Sequence, residues 1–277
     1  MRDLFVANGN TRTYANRLTR HVVAVFNYAV SRELIGPERI IALKSLEPLK
    51  YGQTTAPEPI PVEAVDLDAV RSTAKFLSPT LKAMVHIQAT TGMRSGEIVI
   101  IRPADIDQSN SDGGMWIYTP RKHKTTHRGK TKSVPLNDDA QSALGPFLDR
   151  DPDMFCFSAK ESAQWYREQR TANRKTKDGP GRNKPGTNRK ANPQKQPRDF
   201  FDTGSYCKAL QNAQKKANVE RWSPHQMRHA AASAIRDALD IESAQALLGH
   251  SDKQITMHYA KRSMKLAIEA ARAAPKL

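Results

Sequence analysis

Residues 11–34, TRTYANRLTRHVVAVFNYAVSREL, carry apolar side chains at Leu18, Val22, Val25, Phe26, Ala29 and Val30. This spacing predicts an amphipathic helix, and Arg12, Arg17, Arg20 and Arg32 fall largely off the apolar stripe to give it a basic side. A second short helix is expected near 37–46, where Pro37 suits a first turn. The stretch YGQTTAPEPIPVEA then sets prolines at 57, 59 and 61, which disfavour helix and predict an extended linker. The expected organisation is a small helical domain over 1–52, a linker over 53–61 and a larger domain over 62–277.

In the larger part, DLDAVRSTAKFL and PTLKAMVHIQAT read as helices. In TGMRSGEIVIIRP, a Thr91-Gly92 turn leads into a helix expected to run until Pro103 stops it. GMWIYTPRKHKTTHRGKTKSVPL differs in kind: two β-rich ends flank a very basic turn, which predicts a hairpin. DDAQSALGPFLDR reads as helix and MFCFS as a short strand. Residues 167–198 hold eleven Lys or Arg with little apolar content, and are expected to be a basic insert that is mostly disordered without a ligand. Helices return from about 205. Ser223-Pro224 is a good helix start, Gly249 a good stop for IESAQALL, and SMKLAIEAARAA a final amphipathic helix. The fold class expected is α+β, mostly helical, with a small antiparallel hairpin or sheet.

Charge changes the picture more than composition does. Forty-four Lys and Arg against 28 acids give +16 over 277 residues, an excess that draws polyanions, of which nucleic acid is the commonest in a cell. Two cysteines, Cys156 and Cys207, make neither a disulfide framework nor a zinc site by spacing. The N-terminus lacks a signal-peptide pattern and no apolar run reaches membrane-spanning length. The expectation is a soluble, cytoplasmic protein found at the nucleoid, with double-stranded DNA as partner and no membrane.

Phosphodiester cleavage without a metal needs fixed cations on the phosphate oxygens, a proton for the leaving oxygen and an activated nucleophile. Candidates are present. Arg94 stands at a predicted helix start; His225 and Arg228 lie three apart at another and so share a face. Lys124 lies in the basic turn, and Tyr259 follows His250 by nine residues. Two competing motifs fail. His225 with His229, and His123 with His127, have the His-x-x-x-His spacing, but Gln226 and Lys124 stand where catalytic zinc chemistry requires Glu. GKTKS at 129–133 ends like a phosphate-binding loop, but Lys124 occupies the position of its required glycine.

Taken together, TGMRSGEIVIIRPADI (91–106), the hairpin with HKT and VPL, SPHQMRH (223–229), LLGHS and the tyrosine nine residues beyond its His resemble, in order and spacing, the tyrosine recombinases of the phage-integrase family over about residues 62–265. The resemblance implies an integrase-type catalytic domain that recombines DNA at specific sites as a homo-tetramer, without metal, ATP or any other cofactor. Arg94 and Arg228 would clamp the scissile phosphate. Lys124 would protonate the leaving 5′ oxygen, with Lys122 the runner-up. His225 would be the acid/base histidine, His250 a hydrogen-bond donor to a non-bridging oxygen, and Tyr259 the nucleophile that forms a 3′-phosphotyrosine. Glu97 resembles the family's acidic residue in the first arginine motif and is expected to fix the helix or Arg94. Arg121, Lys122 and Arg128 in the hairpin, and Arg17 and Arg20 near the N-terminus, are candidate DNA-backbone contacts.

The N-terminal part departs from the family pattern. Residues 1–52 resemble only the last two helices of the family's DNA-clamping, core-binding bundle, so a partial domain with exposed apolar surface is expected. Two other functions remain open on sequence: relaxation of DNA by type IB topoisomerase chemistry, and a truncated remnant that only binds DNA.

Overall fold

The computed structural model describes residues 1–109, 114–122, 126, 129, 131–175 and 196–248. Lys124, Arg128, His250, Tyr259 and the expected final helix over 263–274 lie outside the described residues. The chain forms two compact units, Met1–Val62 and Glu63–Leu277. No described helix is long and apolar enough to cross a membrane.

In the first unit, α1 (Arg2–Ala7), α2 (Arg12–Ser31) and α3 (Glu38–Lys44) pack together. The buried line on α2 starts at Ala15 and Thr19, whose hydroxyl donates to the Ala15 carbonyl at 2.9 Å. Val25, expected on the inner stripe, is 66% exposed, and Tyr28, Leu34 and Ile41 are exposed as well. Asn16 and Leu49 exchange two hydrogen bonds, at 2.8 and 3.0 Å, and Arg12 grips Glu58 at 2.6 Å, so α2 is tied to the chain that follows α3.

The second unit is built round α5 (Pro79–Thr91). Its sequence PTLKAMVHIQATT is apolar on nearly every side, as a central helix must be, and only Lys82 and His86 are exposed near its middle. Ser78 caps it, accepting from the Leu81 N–H at 3.3 Å, and Pro79 takes the first turn. Against it pack α7 (Asp138–Leu144) and α10 (Pro224–Ala238), the latter followed by α11 (Ile241–Leu248). The helices α4 (Leu67–Ala74) and α9 (Thr203–Ala217) pair beside them.

The expected hairpin is present and gains a third strand. β1 (Ile106–Asp107), β2 (Trp116–Tyr118) and β3 (Val134–Leu136) form an antiparallel sheet in that order, with Tyr118 opposite both Ile106 and Val134. The fold is thus mostly helical with a small antiparallel sheet.

Two local expectations are corrected, on the helix after Gly92 and on MFCFS, and the start of a third segment is described. The helix after Gly92 is one turn, α6 (Ser95–Ile98), and Pro103 opens a short 3-10 turn rather than closing a helix. The β-branched run Val99-Ile100-Ile101 leaves the helix to lie in the core, where Ile101 accepts from the Cys156 N–H at 2.8 Å. MFCFS is not a strand: Cys156 and Phe157 are buried by packing, Phe157 edge-on to Phe147 at 5.3 Å, without a ladder. The segment 167–198 is helical at its start, because α8 (Ala159–Ala172) runs into it. Ser158 caps α8, and Tyr166 fixes it to α5 by accepting from the Ser78 N–H and donating to the Phe76 carbonyl, both at 3.0 Å. Residues 176–195 of that segment lie outside the described residues.

Candidate active site

The site begins where α5 stops. Gly92 caps the helix in the left-handed region, φ 63°, and a Cβ there would meet a Leu248 methyl at 2.7 Å and the Ala231 Cβ at 3.3 Å. Glycine is required on both counts, conformation and space. Buried Gln88 holds the next step of the chain, donating to the Met93 carbonyl at 3.1 Å while it accepts from Tyr206 at 3.0 Å. Arg94 follows, as the residue that opens α6. Its backbone N–H donates to one carboxylate oxygen of Glu97 at 2.9 Å, and its guanidinium donates to the other at 3.1 Å. The Glu97 side chain is 2% exposed and that of Arg94 28%, so the carboxylate is inside and the guanidinium reaches out from it.

Arg228 comes from the first turns of α10, where Gln226 returns to accept from the Ser223 N–H at 2.8 Å. Its side chain is fully buried. One terminal nitrogen donates to the Gly92 carbonyl at 2.7 Å and the other to the Leu248 carbonyl at 2.8 Å. These two bonds join the end of α5, α10 and the end of α11 at one guanidinium. His225, three residues earlier, is exposed at the opening of α10, its ring edge-on to His229 at 5.1 Å. Partial desolvation, then the charges of Arg228 and Arg94, hold the His225 imidazole below its ordinary range, so the neutral ring is favoured.

The third cation was not anticipated. Lys132, just ahead of β3, is 8% exposed and its ammonium lies 2.6 Å from Glu97. A signal for it existed: Lys132, Val134 and Leu136 are alternate residues of one extended segment, and Val134 and Leu136 are buried, so the period of two turns Lys132 inward as well. Burial works against the charge on Glu97, but Lys132 and the Arg94 contacts outweigh it and hold the carboxyl below its usual range. Burial lowers the Lys132 ammonium, with Glu97 opposing and Arg228 and Arg94 adding to the depression. The side chain of Tyr118 in β2 closes the site from the sheet side by donating to the Glu97 carbonyl at 2.8 Å.

The structure ties Arg228 to the Arg94 turn through the Gly92 carbonyl, two residues before Arg94, and the charges of both arginines reach His225 and Lys132. Lys124, His250 and Tyr259 are outside the described residues, as is Arg128. Lys122 is exposed, as are Arg17 and Arg20 on α2. Arg121 is half-exposed, but its guanidinium is engaged with Asp105 at 2.8 Å and Asp153 at 3.2 Å.

Among the described residues, three cations, Arg94, Lys132 and Arg228, stand against the carboxylate of Glu97. Such a surplus in a partly buried place suits an anion, and the partly exposed Arg94 guanidinium has the planar fork that matches the oxygens of a phosphate, whereas both terminal nitrogens of Arg228 already hold backbone carbonyls.

Residues 64–265 match the model of the phage integrase family. The chain is 28% identical over 218 residues to the tyrosine recombinase XerC of Bifidobacterium longum subsp. infantis, which covers 78% of this chain and 52% of that protein. It is 28% identical over 190 residues to XerC of Corynebacterium glutamicum, covering 68% and 48%. It spans about half the length of these curated relatives. Among solved structures the fold resembles the Tn1549 transposon integrase in complex with a circular intermediate DNA (TM-score 0.64, 14% identity, 99% of this chain and 83% of that one). It also resembles a lambda integrase dimer bound to a COC′ core site (TM-score 0.60, 13% identity, 100% and 65%). With a family model matched across all but the N-terminal unit and the last residues, this chain belongs to the phage integrase family.

Proposed function

We propose that the chain is a site-specific DNA recombinase that cuts and rejoins strands through a tyrosine. The observation that carries this reading is the convergence of Arg94 and Arg228 beside His225, with more cations than anions, inside the segment matched by the family.

The chemistry balances without a metal. Arg94 and Arg228 hold the non-bridging oxygens of the scissile phosphate, where negative charge grows toward the transition state. The Tyr259 oxygen attacks phosphorus and gives up its proton toward His225, whose neutral ring can accept it. The bond from phosphorus to the 5′ oxygen breaks as Lys124 supplies a proton, and His250 donates to a non-bridging oxygen. The products are a 3′-phosphotyrosine and a free 5′-hydroxyl. A hydroxyl from a second strand reverses the step and seals the exchanged junction, so the bond energy is kept in the ester. Double-stranded DNA is the partner, a homo-tetramer on two duplexes the working assembly, and the cytoplasm the place of action. Lys122, Arg128, Arg17 and Arg20 serve as phosphate contacts; Arg121 serves the hairpin first, through its two carboxylates.

The test is covalent trapping. Protein is incubated with a pool of nicked random-sequence duplexes, and adducts that survive denaturing detergent are isolated and sequenced. The wild-type chain yields an adduct with a recoverable sequence preference, and Tyr259→Phe binds the same duplex without forming one. An adduct that persists in Tyr259→Phe moves the nucleophile elsewhere. Relaxation of any supercoiled plasmid without sequence preference points instead to a topoisomerase.

A further inference from the structure

We infer that Lys132 is a positioning residue for DNA cleavage: through Glu97 it keeps the guanidinium of Arg94 available to the scissile phosphate. The inference rests on the recombinase reading and adds a residue to it.

Glu97 has two tasks that conflict. Its carboxylate orients Arg94 by accepting from both the backbone N–H and the guanidinium of that residue. A buried carboxylate with no other cation would also neutralise Arg94, drawing the guanidinium down upon itself and away from any phosphate. Lys132 resolves the conflict. Its ammonium lies 2.6 Å from the Glu97 oxygen that already accepts from the Arg94 N–H, and both side chains are almost wholly buried, 7% and 2% exposed. Lys132 therefore balances the carboxylate within the interior. The Arg94 guanidinium holds only the outer oxygen, at the longer distance of 3.1 Å, and is the more exposed group of the three.

The connection is also mechanical. Lys132 precedes β3, Tyr118 in β2 donates to the Glu97 carbonyl, and Glu97 lies in α6. The sheet is thus fastened to the Arg94 turn at both the backbone and the side chain of one residue.

Single-turnover adduct formation tests this on the duplex selected by the wild-type chain, made with either an ordinary phosphate or a methylphosphonate at the cleaved position. The methyl group replaces a charged oxygen, so cleavage depends less on the cationic clamp. Lys132→Met slows cleavage of the phosphate by about 100-fold, the scale of a misplaced reacting group, and the methylphosphonate by much less. Lys132→Arg restores most of the rate on the phosphate. The double variant Lys132→Met/Glu97→Gln buries no unpaired charge, keeps the fold and stays slow on the phosphate, because Arg94 has lost its orienting partner.

Equal slowing of both substrates, with a lower melting temperature, would make Lys132 a purely structural residue and overturn the inference. An unchanged rate in Lys132→Met overturns it as well. Full recovery of Lys132→Met on a duplex with sulfur in place of the leaving 5′ oxygen, which departs without a proton, would make Lys132 the proton donor instead. If the wild-type chain forms no adduct with any duplex, the recombinase reading itself fails and takes this inference with it; a wild-type adduct with a Lys132→Met result of the kinds just named removes only the inference.

Discussion

Gly92 concentrates three demands at one residue. It ends α5 at a positive φ, leaves room for Leu248 and Ala231, and offers its carbonyl to Arg228. Gly92→Ala is expected to lose about 1–2 kcal/mol from backbone strain alone, and more as Leu248 is pushed aside. Urea denaturation measures the loss, and adduct formation per folded molecule should fall with it, since Arg228 shares the displaced carbonyl. His225 supplies a prediction in pH. Its imidazole titrates below the ordinary value in the folded chain, so between the two values the unfolded chain binds more protons. Acid therefore favours unfolding there: stability is full above the ordinary value and falls as the pH drops toward the depressed one. The melting temperature of the wild type minus that of His225→Gln, followed from pH 7.5 to 5 (about the range where histidine changes charge), should fall as the pH drops. Both residues stood out in the sequence because their motifs, Thr-Gly before an arginine and Ser-Pro-His before another, announce helix ends. Lys132 did not stand out, since it sits in a run of basic residues whose members look alike until strand phase separates the inward one.

At the scale of elements, the hairpin is fastened at its base by charge. Asp105, whose side chain is 4% exposed, takes Arg102 through two hydrogen bonds at 3.0 and 3.1 Å and Arg121 at 2.8 Å. Arg102 is itself 14% exposed. Asp105→Ala should leave that guanidinium under-partnered in the interior and cost about 3 kcal/mol, readable by urea denaturation, with faster proteolysis of the hairpin in the folded protein. The same network gives Arg121, a candidate DNA contact on sequence, a second role that the sequence does not show: Asp105 and Asp153 meet it only through the fold, from 16 and 32 residues away. Helices with strong caps, such as α5 and α10, were legible because cap and periodicity agree. Gly92 and Pro103 bracket a stretch whose local pattern fits a helix longer than α6, and nothing local says that Val99–Ile101 belongs to the core. MFCFS was read as a strand because alternation and burial look the same whether or not a partner strand lies alongside.

For the whole molecule, the excess of +16 favours polyanions, and on the recombinase reading it governs how the chain meets DNA. Affinity for any duplex is expected to fall steeply with salt, by about 1000-fold or more between 50 and 200 mM if six or more phosphates are neutralised. Fluorescence anisotropy across that range measures the slope, and a flat profile would count against phosphate contacts as the main source of affinity. The class of fold and the family were legible because several weak motifs fall in one order along the chain. The packing of the first unit was less so: its apolar stripe is shared between an inner line at Ala15 and Thr19 and outward residues such as Val25, and periodicity alone cannot say which line is covered. The burial of the Lys132–Glu97 pair separates two responses that are usually confounded. Dissolved ions screen charges they can approach, and that pair is closed to them. Brine should therefore detach the protein from its substrate without disarming it, and simple dilution should bring back the full cutting rate with no lag for refolding.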